Sequence, residues 1–191
     1  MTINMPEEKR LTEIIELCKE NDRKAQRTLY DLFSKKMFVV CLRYSSDYSD
    51  AEDMLQEGFI KIFKKIDKYN HSGSFPAWMS RLISNNCIDI IRKKPNLYAI
   101  TEGHENTLET YNTNAIDKLI GEDIVNLIQS LPTGYRTIFN MYVVEGYSHK
   151  EIAEKLDISA GTSKSQLNRA RKVLQKKLEE IKVYESLKIS K

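Results

Sequence analysis

Apolar residues recur every three or four positions along almost the whole 191-residue chain, and alternating strand patterns are nearly absent. Such spacing lines one face of a helix, so we predict an all-α protein. The pattern stops over residues 95–115, where Asn, Thr and Glu dominate, and this composition indicates an exposed linker. We therefore predict two small helical domains, 1–94 and 116–191, joined by a flexible acidic linker.

Turn and cap residues divide the two helical stretches into single helices. Asn21-Asp22 predicts a turn and cap, Asp50 is the expected cap of a third helix, and Pro76 opens a fourth. Further along, Leu131-Pro132 ends a helix, and the spacing predicts a single helix over 134–145. The order of elements is thus helix after helix in both predicted domains.

Composition excludes several classes of protein. The longest apolar run, Met37–Leu42, has six residues, against about 18 for a membrane span. Residues 1–10 lack the apolar stretch of a secretory signal, so we expect a cytoplasmic protein without membrane insertion. Three distant cysteines, Cys18, Cys41 and Cys87, show no zinc spacing and predict buried reduced thiols. We expect no metal site, no cofactor and no enzymatic activity.

The net charge changes sign along the chain, from +3 over 1–94 to −5 over 95–131 and +5 over 132–191. The last segment contains a short helix, a tight turn and a longer helix over 149–174, which is helix-turn-helix spacing, with Ser148 and Glu151 spaced as a capping box. No acidic residue lies between positions 159 and 178. Cations occupy the second helix at Lys164, Arg169, Arg171, Lys172, Lys176 and Lys177. This pattern favours a DNA phosphate backbone; a solvated basic helix in an ordinary bundle is the alternative.

An acidic stretch opens the third predicted helix, with five carboxylates and no cation over residues 47–57. Asp53, Gln56 and Glu57 lie one turn apart on its polar face. The spacing predicts a docking surface for a basic protein partner. Alternatively, the acids only stabilise the helix N-terminus through its dipole.

Aromatic residues lie beside polar and cationic residues over 67–94, where a loop leads into the fourth helix. Tyr69, Ser72, Phe75, Trp78 and Arg81 lie in this stretch, and such a mixture suits unpaired bases, which bind by stacking and by hydrogen bonds along their edges. Core packing is the alternative for Phe75 and Trp78.

These three features, in this order, resemble a bacterial RNA polymerase sigma factor of the extracytoplasmic function (ECF) group. DAEDMLQEGFIKIF, residues 50–63, is similar to the family's region 2.2, which binds the clamp helices of the polymerase β′ subunit. FPAWMSRLISNNCIDIIRKK, residues 75–94, is similar to regions 2.3 and 2.4, and residues 131–174 are similar to region 4. The resemblance covers residues 8–178 and implies promoter-specific transcription initiation.

The resemblance also implies roles for single residues. Core-polymerase binding falls on Asp53, Gln56 and Glu57. Capture of unpaired −10 bases falls on loop 68–75 and the fourth helix, at Tyr69, Ser72, Phe75, Trp78, Arg81, Asn85, Asp89 and Arg92. Contacts with the −35 element fall on Lys164, Ser165, Asn168 and Arg169, joined by Thr162, Gln166, Arg171 and Lys172 toward the phosphate backbone.

Three positions depart from the family pattern. Asp157 replaces a common turn glycine, and Asp tolerates the left-handed conformation well enough for the turn to survive. Ser163 stands where Val is usual, which removes apolar packing and is expected to loosen the recognition helix. Gln166 replaces a common Arg and removes one potential phosphate contact.

As partners, the resemblance implies core RNA polymerase through its β′ clamp helices and β flap, promoter DNA, and an anti-sigma factor that could itself be membrane-bound. Two other functions stay open at this point. A conventional helix-turn-helix regulator accounts for 149–177 but leaves 50–63 and 68–92 unused. A sigma mimic that sequesters an anti-sigma factor has no need of the cations on the last helix.

Overall fold

A computed structural model describes residues 5–93 and 120–189, with side chains over 9–93 and 124–181. It contains eight α-helices in these ranges and no strand, which confirms the all-α prediction. Packing divides the described chain into two units. The first comprises Asp47–Cys87 and the chain up to Cys41, and the second comprises Leu42–Ser46 and the chain from Ile88 onward. The predicted domain limits at 94/95 and 115/116 lie outside the described residues.

The first half of the chain contains four helices, and their bounds follow the predicted signals closely. They are α1 (Met5–Lys19), α2 (Arg23–Leu42), α3 (Tyr48–Lys65) and α4 (Phe75–Lys93), with a 3-10 turn at Ile66–Lys68. Asp22 accepts a hydrogen bond from the Ala25 backbone (2.7 Å), as a helix cap does. The expected cap of α3 at Asp50 is wrong. The cap is Asp47, which is extended and accepts from the Asp50 backbone N–H at 2.8 Å.

Helices α3 and α4 pack closely against each other within the first unit. A Cβ at Gly58 would overlap the end of the Ile83 side chain, so a larger residue there would require this buried side chain to move. The Asn86 amide donates to the Met54 carbonyl at 3.2 Å within the core. This bond links α4 to the backbone of α3, while the Oδ1 atom of the same amide is buried without a hydrogen-bond partner among the described residues.

All three cysteines are free and buried, as predicted. Burial raises the pKa of Cys18 to about 11. A hydrogen bond with Cys41, followed by burial, raises the pKa of Cys87 well above its usual value. Since the thiolate is the reactive form of cysteine, these thiols act as small apolar core residues.

The second unit contains four further helices. They are α5 (Ile120–Gln129), α6 (Thr133–Phe139), α7 (His149–Leu156) and α8 (Ala160–Ile189), with a π-helical segment at Asn140–Val144. The single helix predicted over 134–145 is therefore interrupted, because the Glu145 backbone N–H bonds to the Asn140 carbonyl, five residues back. Apolar residues of α7 and α8 are buried, as the spacing predicts: Ile152, Leu156, Leu167, Ala170 and Leu174. Ala170 and Leu174 cluster with Leu131, which lies between α5 and α6.

Candidate polymerase-docking and nucleic-acid interfaces

The polar face of α3 carries the predicted docking residues on its surface. Asp53, Gln56 and Glu57 are all exposed, and the opposite face buries Met54 and Phe59. The helix begins at Tyr48, which places both carboxylates beyond its first turn. A helix dipole acts on charges within about one turn, so dipole stabilisation does not account for these two acids.

A groove of about 330 Å³ lies beside this face, between α2 and α3. Its walls combine aromatic rings with a lysine and two polar residues of α3, and it is lined by Tyr30, Ser34, Lys35, Phe38, Tyr48, Glu52, Leu55 and Gln56. The spacing along α3 predicts a surface position for Gln56 but does not predict the groove, because the spacing along one helix carries no information about the helix beside it.

Backbone and side-chain hydrogen bonds hold the aromatic loop, residues 68–75, in one conformation. The Tyr69 hydroxyl donates to the Gly73 carbonyl at 2.8 Å. Asn70 Oδ1 accepts from both the backbone N–H and the hydroxyl of Ser72, at 3.1 and 2.7 Å. His71 and Gly73 both take positive φ, 60° and 90°. The loop thus forms hydrogen bonds between its own residues.

The aromatic rings form a layer beneath this loop. Tyr69 and Phe75 are only 6% and 2% exposed, and Phe75 stacks on Trp78 with centroids 5.5 Å apart and planes 24° apart. Core packing, the alternative for Phe75, therefore describes its place in this structure, whereas Trp78 is half-buried. Burial also raises the pKa of Tyr69, so its hydroxyl keeps the proton that it donates. The exposed residues of the loop are Lys68 and residues 70–74.

Helix α4 carries the remaining predicted −10 residues along one face, at successive helical turns. Arg81 and Arg92 are exposed, and Asn85 and Asp89 are half-buried. Arg92 pairs with Asp89 at 3.8 Å on the same helix, with both side chains about half exposed. A pair of this kind has little net stability, so the guanidinium can exchange its partner at low cost.

The helix-turn-helix begins with the predicted capping box. The Ser148 backbone N–H donates to Glu151 Oε2 at 2.8 Å, and the Glu151 backbone N–H donates to Ser148 Oγ at 3.3 Å. The predicted left-handed turn is also confirmed, because Asp157 takes φ 55° and ψ 49°. Ser159 then receives the Thr162 N–H at 2.9 Å and starts α8.

Helix α8 presents its predicted DNA-contacting residues unequally. Lys164, Ser165, Asn168, Arg169, Arg171 and Lys172 are exposed, and Thr162 is half-buried. Gln166 is only 2% exposed, so its side chain lies in the interior of the unit and not on the surface predicted for it. Sequence spacing missed a further pair, His149 and Ser163, whose side chains meet at 2.9 Å.

Metal-binding clusters and membrane-spanning helices are both absent from the residues that the structure describes. No group of three or more His, Cys, Asp or Glu side chains there could hold a metal ion. No helix in those ranges is long and apolar enough to cross a membrane.

Comparison with known proteins finds two family models along the chain. Residues 29–95 match "Sigma-70 region 2" and residues 121–174 match "Sigma-70, region 4". The chain is 33% identical over 183 residues to the ECF RNA polymerase sigma factor SigW of Bacillus subtilis, covering 87% of this chain and 96% of SigW. It is 26% identical to the ECF RNA polymerase sigma-E factor of Haemophilus influenzae, covering 87% and 94%.

Two solved structures are also similar. One is CnrH in complex with the cytosolic domain of CnrY, with a TM-score of 0.45 and 17% identity, covering 87% of this chain and 96% of the other. The second is the sigma factor RpoE in complex with the anti-sigma factor NepR from Bartonella quintana, with a TM-score of 0.45 and 21% identity, covering 80% and 96%.

Proposed function

Because this chain belongs to the sigma-70 family, within its ECF group, and so directs promoter-specific transcription initiation by RNA polymerase, we propose how that work is divided along it. The helix-turn-helix contacts the −35 duplex, the aromatic loop and α4 capture unpaired −10 bases, and the acidic face of α3 docks on the β′ clamp helices. The domains in this proposal are 1–94 and 116–191, with 95–115 as the linker.

One observation supports the proposed recognition of the −35 element, namely the exposed face at the start of α8. Lys164, Ser165, Asn168 and Arg169 follow helical spacing and are all exposed. A major groove admits a helix, and such side chains can hydrogen-bond base edges there. We assign phosphate contacts to Thr162, Arg171 and Lys172. Gln166 would take part only if its side chain left the interior.

Capture of −10 bases is supported by the order of the aromatic loop. A loop that already holds its binding conformation loses less entropy when a base enters. We assign base-edge contacts to the exposed part of the loop, including Ser72, and stacking to the half-buried Trp78, while Tyr69 and Phe75 support the loop from the core. Arg81, Asn85, Asp89 and Arg92 extend this surface along α4.

Docking on core polymerase is supported by the exposed carboxylates of α3 and by the groove beside them. Charge complementarity with a basic clamp speeds association and fixes orientation. The β flap is the proposed second contact on the polymerase, made by the helix-turn-helix unit. An anti-sigma factor, which could itself be membrane-bound, is the proposed regulatory partner.

Promoter opening in this proposal needs no covalent step. A base that leaves the duplex loses stacking and pairing energy, and a protein pocket that holds the base offsets that loss. The chain therefore assists the polymerase without being an enzyme, and it acts in the cytoplasm, where the bacterial polymerase transcribes.

The deciding experiment is run-off transcription with purified chain and sigma-free core polymerase on sheared genomic DNA, followed by sequencing of the transcripts. We expect discrete new start sites that share two spaced upstream elements. Core polymerase supplied with a housekeeping sigma factor serves as the activity control. An absence of new starts with an active core would overturn the proposal.

A further inference from the structure

Ser163 is a buried polar residue at the start of the recognition helix. It directly precedes Lys164, and its exposed fraction is 0%. Its Oγ lies 2.9 Å from Nδ1 of His149, the first residue of α7. The resemblance led us to expect a loosened helix at this serine. The structure instead has a hydrogen bond between α7 and α8 at that point.

The His149 ring is held on a second side as well. It stacks on Tyr142 with centroids 4.5 Å apart and planes 23° apart, and the Arg171 guanidinium lies 5.9 Å from the centroid of the same tyrosine ring. Burial, followed by the charges of Lys164 and Arg171, lowers the pKa of His149. The neutral imidazole that results has one acceptor nitrogen, which suits a serine hydroxyl as donor.

We propose that His149 and Ser163 form a positioning pair for −35 recognition, in which their hydrogen bond fixes the first turn of α8 against α7 and thereby sets which base edges Lys164 and Ser165 reach. This inference rests on the proposed function of the helix-turn-helix. Neither residue needs to touch DNA.

Positioning affects sequence discrimination more than overall affinity. Hydrogen bonds to base edges require donor–acceptor distances within a few tenths of an ångström, so a small shift of the first turn breaks them. Phosphate contacts made by long side chains such as Arg171 and Lys172 tolerate the same shift, because these side chains are flexible and the attraction is largely electrostatic.

Four variants separate the hydrogen bond from the ring contact. S163V removes the hydroxyl and leaves His149 with an unmet polar atom. H149F keeps a ring against Tyr142 but cannot bond to Ser163, whereas H149N places an amide atom near the position of Nδ1 and loses the ring. The double variant H149F/S163V removes both polar partners, which is far less costly than removing one.

The test uses holoenzyme reconstituted from core polymerase and each full-length variant. The templates carry one promoter from the run-off experiment with its −35 element randomised, and the readout is the ratio of transcripts from matched and singly mismatched −35 elements. We expect S163V to lower this ratio about fivefold. H149N should stay within about twofold of the parent, and H149F/S163V should recover most of the loss in S163V.

Two results would overturn the inference. One is an unchanged ratio in S163V, and the other is a double variant whose loss equals the combined losses of H149F and S163V. Thermal unfolding identifies any variant that fails to fold. The comparisons among the folded variants then decide whether the hydrogen bond positions the recognition helix. Failure of the proposed function is distinguishable, because the parent holoenzyme would then give no discrete starts at all.

Discussion

Removing one hydroxyl from the aromatic loop tests whether the order of that loop contributes to promoter opening. The substitution is Tyr69→Phe. Phenylalanine keeps the ring against Phe75 and Trp78, whose centroids lie 4.9 and 5.5 Å from that of Tyr69. Among the described residues, the interaction that this change removes is the 2.8 Å hydrogen bond from the hydroxyl to the Gly73 carbonyl.

The expected magnitude follows from that one bond. A hydrogen bond of this kind contributes about 1 kcal/mol net. Gly73 is exposed, so water can replace the lost donor and no buried acceptor is stranded. For a chain of this size, about 1 kcal/mol lowers the unfolding midpoint by about 2–4 °C. The same free energy, if it is needed to order the loop, lowers open-complex formation about fivefold.

Permanganate reactivity of unpaired thymines measures open complexes on a promoter found by run-off transcription. Holoenzyme with Tyr69→Phe should lose open complexes on duplex DNA and lose less on a template already unpaired across the −10 element. Binding to a −35 duplex should not change. Thr28→Val is the matched control, since it removes a hydroxyl in the same unit that donates to a backbone carbonyl, that of Lys24, at 2.9 Å.

A role of loop order in promoter opening is refuted if Tyr69→Phe lowers the unfolding midpoint as expected while open-complex formation on duplex DNA stays at the parent level. Loop order would then contribute to stability alone. An equal loss on duplex and pre-opened templates would also contradict it, because that pattern places the defect outside base capture.

Three further predictions concern the docking face, the recognition helix and pH. Reversing both charges with Asp53→Lys and Glu57→Lys should weaken core-polymerase affinity at least tenfold at low salt without changing the unfolding midpoint, measured by fluorescence titration and calorimetry; an unchanged affinity would remove the docking role. Arg169→Ala should cost about 1–3 kcal/mol of binding on the matched −35 duplex if it contacts a base, and an equal loss on every duplex would make it a phosphate contact. The lowered pKa of His149 means that folding favours its neutral form. Its contribution to stability is therefore present above its unfolded pKa and is lost as the pH falls through its folded pKa. Between pH 7.5 and 5, the unfolding midpoint of the parent should fall more than that of H149N.

Sequence spacing predicted those features of the fold that depend on neighbours along the chain. The capping box at Ser148 and Glu151 is an example, because it needs only a few adjacent residues. The left-handed Asp157 was expected instead from the resemblance, which places a glycine at that turn. Burial of Ile152 and Leu167 followed from helical spacing for the same reason. The cations Lys164 and Arg169 could likewise be identified from the charge pattern, whereas Ser165 and Asn168 were named only through the resemblance.

Features that depend on packing across helices could not be predicted in this way. The π-helical segment at Asn140–Val144 adds one residue to a turn without a distinctive sequence signal. Gln166 is polar, yet it lies in the interior. From the sequence, Ser163 indicated only a lost apolar contact. Its hydrogen-bond partner His149 could not be identified, because it is fourteen positions away in the chain. The cap of α3 differed by one turn, since Asp47 and Asp50 are equally suitable residues.

The self-contained turn between α7 and α8 has a consequence for how promoter preference can diverge between related proteins. The turn is held by the backbone N–H groups of Asp157 and Ile158, which bond to the Ala153 carbonyl. The Ser159 cap of α8 and the buried residues of both helices complete it. The exposed positions of α8, such as Lys164 and Asn168, contribute to none of these. Substitutions at such surface positions usually change stability by less than about 0.5 kcal/mol. If this face contacts the −35 element as proposed, single substitutions on it can change the promoter preference of gene duplicates without unfolding the helix-turn-helix.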